Sequence, residues 1–463
     1  MKKLLLIFSL LIGAIGIQAQ SFVGSWHGKA DLGAATLRIS FHIDSTETGY
    51  SAKMDSPDQS AFGIPADTAF VDNNQITIEI DQIGLVFKGE RTAEDEMIIG
   101  TINQMGRKFP VELSPKPVEK EEKIRPQEPK PPFDYEVREI TFENAKAQIN
   151  LAGTLTIPQG KGPFPAVVLI SGSGPQDRNE EILGHKPFLV IADHFAQNGI
   201  AVLRYDDRGI AESEGDFEGA TSREFADDAL AAVEFLKKTK KIDPKAIGLA
   251  GHSEGGLVAA IAAAKSEKVN FVISLAGTGV SGGQVLRTQI TAIALAEGTP
   301  ESAVEASLQE QEQIISAIEK AEDYEDARER VRTALDSIIA QSDQEIPDVE
   351  SLKNQTLSQY GTPWMHYFIN YDPAQSWRQI EDIPVLAING TNDLQVEAET
   401  NLNAIEDALE EAGNEDITTM KIHGLNHLFQ RSATGRVSEY GKIEETINES
   451  VLELMTNWIH ERF

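Results

Sequence analysis

The feature that most constrains the fold is an alternation of short apolar strands with helices, which begins at residue 133 and runs to the C-terminus. The strands at residues 166–170 and 246–250 are almost entirely apolar. Such strands are typical of a parallel sheet covered by helices on both faces. The pattern predicts an α/β domain over residues 133–463, entered through an antiparallel hairpin.

One block interrupts this alternation. Between residues 284 and 372 the chain has a helical pattern, is acidic and is rich in Glu, Ala and Gln. It follows the predicted strand 271–275 and precedes the predicted strand 385–389. We therefore expect a helical cap over the strand ends, with most of its charges on solvated helix faces.

The first residues resemble an export signal. Lys2 and Lys3 precede an apolar run over residues 4–17, which is shorter than the roughly 20 residues that cross a bilayer. This pattern predicts a signal peptide over residues 1–19, with an uncut anchor as the alternative. We expect an exported protein, periplasmic or extracellular, without stable membrane insertion after cleavage.

Two further segments precede the α/β domain. Residues 21–115 alternate apolar and polar positions between turn formers, which predicts a small all-β domain of sandwich or barrel type with Trp26 in its core. Residues 116–132 are rich in proline, lysine and glutamate and predict an extended linker.

Composition excludes several classes of function. The 463 residues carry a formal net charge of −32, which repels phosphate backbones and argues against nucleic acid as a partner. Because the chain has no cysteine, disulfides, thiolate metal sites and cysteine nucleophiles are excluded. The oligomeric state cannot be predicted from these data.

The strand at residues 246–250 leads into the motif G-x-S-x-G, with Ser253 at its centre. A sharp strand-to-helix turn of this kind needs small neighbours, which Gly251 and Gly255 provide, and it exposes the serine oxygen at the carboxyl edge of the sheet. Serine needs a base and an orienting acid to act as a nucleophile. We therefore predict that Ser253 is a catalytic nucleophile.

The acid is expected after a later strand. The loop after strand 271–275 has no carboxylate, whereas the loop after strand 385–389 contains Asp393. Asp393 would accept the imidazole N–H and stabilise the imidazolium. Glu397 and Glu399 are nearby rivals, but they lie at the start of a helix, where capping is the more ordinary role.

Two histidines follow the last predicted strand, His423 and His427. We favour His427 as the base because it lies deeper in the loop, whereas His423 adjoins the strand end. Their spacing could indicate a metal pair, but the H-E-x-x-H helix of metalloproteases is absent. We therefore expect neither a metal nor another cofactor.

An acyl-transfer site also needs two N–H donors for the oxyanion. We predict the N–H of Glu254, directly after the nucleophile, and that of Ser173, between Gly172 and Gly174 in the loop after strand 166–170. Further along this loop, Asp177, Arg178 and Asn179 could line the pocket, but we expect them to hold the loop through an internal ion pair.

Together the segments GHSEGG, SGSGPQDRN, LRYDDRGIAES, NGTNDLQV and GLNHLF resemble the α/β-hydrolase superfamily. The resemblance covers residues 133–463 and is to a branch of secreted bacterial serine esterases near the serine aminopeptidase-like hydrolases. It implies a mostly parallel eight-stranded sheet, a helical cap and a Ser-Asp-His hydrolase. One departure is Ala211, where the family usually has glycine.

The leading hypothesis is a serine carboxylesterase that acts on small-molecule esters of short acyl groups. A serine aminopeptidase-like peptidase, which would need a carboxylate pocket for the substrate ammonium, is the second. A non-catalytic binding protein that works through the β domain is the third. The complete set of predicted catalytic loops argues against that third hypothesis.

Overall fold

The computed structural model describes residues 22–31, 36–59, 61–92, 96–104, 107–119, 125–342 and 349–463. The chain divides into two compact units, Met1–Glu121 and Glu122–Phe463. The predicted signal peptide lies outside the described residues. Over the described ranges, no helix is both long enough and apolar enough to cross a membrane.

The first unit is all-β, as predicted. Its described part contains nine strands: β1 (Gly24–Asp31), β2 (Thr36–Thr46), β3 (Gly49–Ser56), β4 (Ala61–Pro65), β5 (Thr68–Asp72), β6 (Gln75–Ile80), β7 (Leu85–Arg91), β8 (Ile98–Gln104) and β9 (Arg107–Ser114). They form one sheet in the order β4-β3-β2-β1-β9-β8-β7-β6-β5. The paired strands run antiparallel.

The alternation of side chains along these strands builds the core of the first unit. Inward positions such as Ile76 and Ile78 of β6 are buried, while the residues between them are more exposed. Phe41 and Phe87 stack with ring centroids 4.9 Å apart. Trp26 is 3% exposed, so its predicted place in the core is confirmed.

The second unit contains the predicted α/β sheet. Its strands in the described residues are β10 (Glu136–Asn144), β11 (Ile149–Ile157), β12 (Phe164–Ile170), β13 (Ala201–Tyr205), β14 (Ile242–His252), β15 (Phe271–Leu275), β16 (Val385–Gly390) and β17 (Ile417–Ile422). Their order is β10-β11-β13-β12-β14-β15-β16-β17. The hairpin β10–β11 is antiparallel and β12 to β17 are parallel. The fold class, an α/β hydrolase preceded by a small all-β domain, is confirmed.

Helices cover both faces of this sheet. Those in the described residues are α1 (Pro187–Gln197), α2 (Ser222–Lys237), α3 (Glu254–Lys265), α4 (Gly282–Ala296), α5 (Glu301–Glu319), α6 (Tyr324–Gln341), α7 (Val349–Tyr360), α8 (Pro363–Asn370), α9 (Ala374–Trp377), α10 (Ala398–Glu411), α11 (Val437–Tyr440) and α12 (Glu449–His460). Helices α2, α3 and α10 pack in one apolar cluster, and α1 and α12 in a second. Strands β13, β15 and β16 are buried along their whole length because both of their faces are covered.

Helices α4 to α9 lie between β15 and β16, where the sequence pattern predicts a cap. Helices α5 to α8 share an apolar cluster of their own, which includes Ile315, Val331 and Leu357. Arg287 of α4 is bonded to Glu312 and Glu319 of α5, which ties the first two cap helices together. The cap therefore has its own packing and does not depend only on the sheet beneath it.

The last helix begins later than its sequence pattern suggests. Apolar spacing predicts a helix over residues 443–460, but α12 begins at Glu449 after the cap residue Asn448. The backbone N–H of Thr446 donates to Gln127 Oε1 at 2.6 Å. Contacts with this distant segment therefore take up backbone groups that a longer helix would use.

The predicted linker is partly docked on the second unit. The buried Arg125 guanidinium donates to the carbonyl oxygens of Ile443, Gly184 and Gly441, and Gln127 Nε2 donates to that of Ile447. The residues around Arg125 therefore pack as part of the second unit.

Candidate active site

Ser253 lies at the turn between β14 and α3. Its backbone has φ 53° and ψ −121°, a conformation that is uncommon for a residue with a side chain. A Cβ atom at Gly251 would lie 1.9 Å from the Gly255 carbonyl oxygen, and one at Gly255 would lie 2.2 Å from the Ile170 carbonyl oxygen. Glycine is therefore required at both positions, and the turn presents a partly exposed Ser253 at the carboxyl edge of the sheet.

Asp393 follows β16 and uses its two carboxylate oxygens differently. Oδ1 accepts the backbone N–H groups of Gln395 at 2.8 Å and Val396 at 2.9 Å, which closes a tight turn. Oδ2 lies 2.7 Å from His427 Nδ1. The structure thus brings together two of the predicted site residues in a buried pair.

The rival carboxylates lie elsewhere. Glu397 accepts the N–H groups of Glu399 and Thr400 and caps α10. Glu399 is exposed near Lys421. Over the described residues, neither glutamate forms a hydrogen bond with the His427 ring.

The loop after β17 holds His427 through its own side chains. Asn426 Oδ1 accepts the N–H groups of Leu428 at 3.1 Å and Gln430 at 2.9 Å. His427 is buried, whereas His423 at the strand end is exposed. No group of three or more His, Asp or Glu side chains in the described ranges is placed to hold a metal ion.

His252, the residue directly before Ser253, contacts His427. The Nε2 atom of His252 lies 2.9 Å from the His427 carbonyl oxygen, and the two imidazole centroids are 4.8 Å apart. Over the described residues, no hydrogen bond joins the Ser253 hydroxyl to the His427 ring. Such bonds are commonly loose before a substrate binds and tighten in the complex.

The loop after β12 carries Ser173, the predicted oxyanion donor, and is called the oxyanion loop below. It lies against the turn that carries Ser253. A Cβ atom on Gly172 would lie 3.2 Å from Ser253 Cβ. The Gly172 N–H donates to Glu180 Oε1 at 2.8 Å, so it is already engaged. The N–H of Glu254 lies in the first turn of α3, where helix donors have no partner within the helix. Ser173 directly follows Gly172 and remains the candidate for the second donor.

The Glu254 side chain, unlike its backbone N–H, has hydrogen-bond partners on other helices. Its Oε1 accepts from Ser222 Oγ at 2.6 Å and from Trp364 Nε1 at 2.8 Å. Burial raises the pKa of the Glu254 carboxyl above its usual range, although these two donors oppose the shift. Because Trp364 belongs to α8, this contact joins the cap to the turn at Ser253.

Two aspartates directly after β13, Asp206 and Asp207, accept hydrogen bonds from the oxyanion loop. Asp206 accepts both from the backbone N–H of Arg178 at 2.8 Å and from its guanidinium at 2.6 Å. Arg178 therefore holds its loop through an ion pair, as expected, but its partner Asp206 lies outside that loop. Asp207 accepts from Ser171 Oγ and from the Gln176 N–H, while burial raises its pKa to about 8.

Sequence reasoning missed two residues of the site, Glu180 and His252. His252 was visible as the neighbour of Ser253, but nothing in the motif indicates which partner its ring faces. Its partner Glu180 lies 72 residues earlier in the chain. No local pattern links positions so far apart, so only the folded chain brings them together.

Comparison with known proteins supports the same fold. The family model for X-Pro dipeptidyl-peptidase (S15 family) matches residues 148–428, which is more than half of the chain. Esterase EstD of Thermotoga maritima is 28% identical over 332 residues, which cover 71% of this chain and 68% of that protein. Thiohydrolase aneE of Aspergillus aculeatus is 33% identical over 141 residues, or 30% of this chain and 40% of that protein.

Solved structures give more distant matches. The α/β hydrolase GrgF from a Penicillium species is 20% identical, with 70% of this chain and 98% of that chain covered and a TM-score of 0.44. An esterase of Pyrococcus furiosus is 15% identical, with 71% and 90% covered and a TM-score of 0.42. The family match and the strand order agree: the chain is a hydrolase of the α/β fold and belongs to the X-Pro dipeptidyl-peptidase (S15) family.

Proposed function

We propose that this hydrolase cleaves carboxylic esters of small acyl groups through an acyl-enzyme on Ser253. The observation that carries the proposal is the buried hydrogen bond of 2.7 Å between His427 Nδ1 and Asp393 Oδ2. That bond directs the opposite ring nitrogen of His427 away from Asp393, as a general base requires. Its neighbour His252 directly precedes Ser253 in the chain.

In the proposed acylation step, Ser253 Oγ attacks the ester carbonyl while His427 Nε2 takes the hydroxyl proton. Asp393 holds the proton on Nδ1 and stabilises the imidazolium that forms. The N–H groups of Ser173 and Glu254 would donate to the oxyanion, where the loss of one donor typically costs about 10²–10³ in rate. The leaving alcohol then receives the proton from His427.

Deacylation repeats the same steps with water as the nucleophile. His427 takes a proton from the water, which attacks the acyl carbonyl. His427 then returns that proton to Ser253 Oγ as the bond from Oγ to the acyl carbon breaks and the acid is released. These steps need only side chains and backbone groups of this chain, so the proposal assigns no role to a cofactor.

The proposed preference for esters rests on esterase EstD, which matches more of this chain than thiohydrolase aneE does. Esterase EstD matches 71% of this chain at 28% identity, and Ser253, Asp393 and His427 lie within the hydrolase unit.

A peptidase is the second candidate, and the family match favours it. The name of that family refers to the release of dipeptides that end in proline. The same three residues would attack an amide, with His427 protonating the leaving amine in place of an alcohol. The two functions therefore differ in the pocket and not in the proposed nucleophile.

The test compares both substrate classes on one protein. Hydrolysis of p-nitrophenyl acetate, butyrate and octanoate is measured beside alanine p-nitroanilide and glycyl-proline p-nitroanilide. The wild-type chain and Ser253→Ala are assayed in parallel. We expect ester hydrolysis that falls by at least about 10³-fold in the variant.

The other outcomes are equally informative. Anilide hydrolysis of comparable efficiency, again lost in Ser253→Ala, would support the peptidase and contradict the ester preference. Hydrolysis that survives in Ser253→Ala, or none in either protein, would contradict Ser253 as the nucleophile. The β domain would then become the part of the chain to test for binding.

A further inference from the structure

A second carboxylate–imidazole pair lies beside the proposed triad, and the proposed chemistry does not use it. Glu180 and His252 are 1% and 6% exposed. Glu180 Oε1 lies 2.9 Å from His252 Nδ1. Two ionisable side chains are costly to bury unless each finds partners, so the pair calls for an explanation of its own.

Glu180 lies in the loop after β12 and has a left-handed backbone with φ 51°. This conformation is uncommon for a residue with a side chain and has a free-energy cost. In return, its Oε1 accepts two hydrogen bonds, one from the Gly172 N–H at 2.8 Å and one from His252. The carboxylate therefore joins the oxyanion loop to the turn at Ser253.

Both ring nitrogens of His252 face oxygen acceptors. Nδ1 faces the Glu180 carboxylate, and Nε2 lies 2.9 Å from the His427 carbonyl oxygen. A backbone carbonyl and a carboxylate only accept, so with Glu180 as a carboxylate both nitrogens must carry a proton for both bonds to form, which describes an imidazolium.

The surroundings of His252 favour that charge. Burial alone would lower the pKa of His252, but the charge of Glu180, its hydrogen bond and the His427 carbonyl raise the pKa above its usual value, with a further contribution from Asp393. The His427 ring lies against it, with centroids 4.8 Å apart.

We infer that Glu180 and His252 form a positioning pair that holds three catalytic loops together. Glu180 accepts from the Gly172 N–H of the oxyanion loop. His252 directly precedes Ser253 and contacts the carbonyl oxygen of His427. The inference rests on the proposed function, in which those loops carry the oxyanion donor, the nucleophile and the base. Neither residue touches the reacting atoms.

The expected effect follows from the geometry of the reaction. A misplacement of about 1 Å at a reacting group can cost about 10²-fold in rate. Loss of the pair should therefore lower kcat by about 10- to 100-fold and leave KM within about threefold, because ester binding would use other surfaces. The two substitutions should also be non-additive, since each breaks the same chain of contacts.

The kinetic experiment uses Glu180→Gln, His252→Gln and the double variant in the full chain. Asp228→Asn is the matched control, because it removes one carboxylate charge from the buried ion pair with Arg208. We expect kcat losses in the three test variants, slower labelling of Ser253 by a fluorophosphonate, and kcat within about twofold of wild type in the control. Unchanged kcat in Glu180→Gln, an equal loss in Asp228→Asn, or fully additive losses would overturn the inference.

A second readout does not depend on turnover. In protein labelled with ¹⁵N-histidine, NMR at pH 7 should find protons on both nitrogens of His252, and Glu180→Gln should remove one of them. Hydrogen exchange at residues 171–174 and 425–428 should also become faster in that variant. A His252 nitrogen without a proton in the wild type, or unchanged exchange, would contradict the pair even if Ser253 proved not to be the nucleophile.

Discussion

Asp393 illustrates how one residue can satisfy local structure and chemistry together. Its Oδ1 closes a turn with the N–H groups of Gln395 and Val396, while its Oδ2 is bonded to His427. The turn itself aims the second oxygen at His427, so the turn is compatible with the catalytic role proposed for Asp393.

Because the two carboxylate oxygens of Asp393 have different partners, the effect of Asp393→Asn can be predicted. The amide oxygen can still close the turn, so the fold should persist, but the amide nitrogen would face His427 and favour the wrong tautomer. We expect kcat on p-nitrophenyl butyrate to fall by about 10³–10⁴-fold, with a circular dichroism spectrum like that of wild type. A loss of less than tenfold would contradict the assignment of Asp393 as the acid.

Ala211 is a second residue at which local geometry predicts an effect. It has φ 47° and is exposed, and the resemblance to α/β hydrolases leads us to expect glycine at this position. The left-handed conformation costs alanine about 1–2 kcal/mol, whereas glycine costs about 0.4–1 kcal/mol through the unfolded chain. Ala211→Gly should therefore raise the free energy of unfolding by about 0.5 kcal/mol and leave kcat unchanged.

Urea unfolding measures this gain. The matched control is Ala145→Gly, because Ala145 is an exposed turn residue that is not among those with positive φ. That variant should lose stability through the same entropic cost. If both variants lose stability equally, the strain at Ala211 contributes nothing measurable.

At the scale of elements, helix α8 connects the cap to the turn that carries Ser253. Its Trp364 Nε1 donates to Glu254 Oε1, and its ring stacks on Phe368 with centroids 5.1 Å apart. The same carboxylate oxygen accepts from Ser222 Oγ on helix α2. Glu254 thus receives one donor from the cap and one from the hydrolase core.

These two donors allow the cap contact to be tested separately. Trp364→Phe keeps the stacked ring and removes the N–H, whereas Ser222→Ala removes the donor on the core side. Each change should cost about 1–2 kcal/mol of unfolding free energy. Only Trp364→Phe should raise KM for p-nitrophenyl butyrate, by several-fold, because only it loosens the cap. Equal KM values in the two variants would mean that this contact does not control substrate entry.

At the scale of the whole molecule, buried acids make stability depend on pH. Burial raises the Asp207 pKa from 3.8 to about 8. Between these values the folded chain holds a proton that the unfolded chain releases, so the free energy of unfolding falls as pH rises. One such proton contributes at most about 1.4 kcal/mol per pH unit.

Asp207→Asn removes that titration because its side chain is neutral at every pH. The variant should therefore lose less unfolding free energy than wild type between pH 5 and pH 8. Urea unfolding at pH 5, 6.5 and 8 measures the two slopes. If they are equal, the pH dependence belongs to other groups such as Glu254, whose pKa burial also raises.

The type and order of the elements could be predicted because they depend on residues close together in the chain. Period-two alternation predicts the strands of the first unit, and apolar strands between helices predict the mostly parallel sheet of the second. The end of α12 was predicted well and its start was not. A local pattern cannot include Gln127, which donates to and accepts from the backbone just before that helix.

The candidate site likewise has features that depend on neighbouring residues and features that depend on distant ones. Gly251, Ser253 and Gly255 form a motif whose steric demands are local, so the sequence by itself determined that sharp turn and the position of Ser253 on it. The contact between Asp393 and His427, 34 residues apart, was predicted from the order of the loops, and the structure supplies its geometry. Only the tertiary structure decided that Glu180 faces His252. The physical reason is that a parallel sheet gathers the ends of distant strands at one edge, where contacts depend on the path of the whole chain.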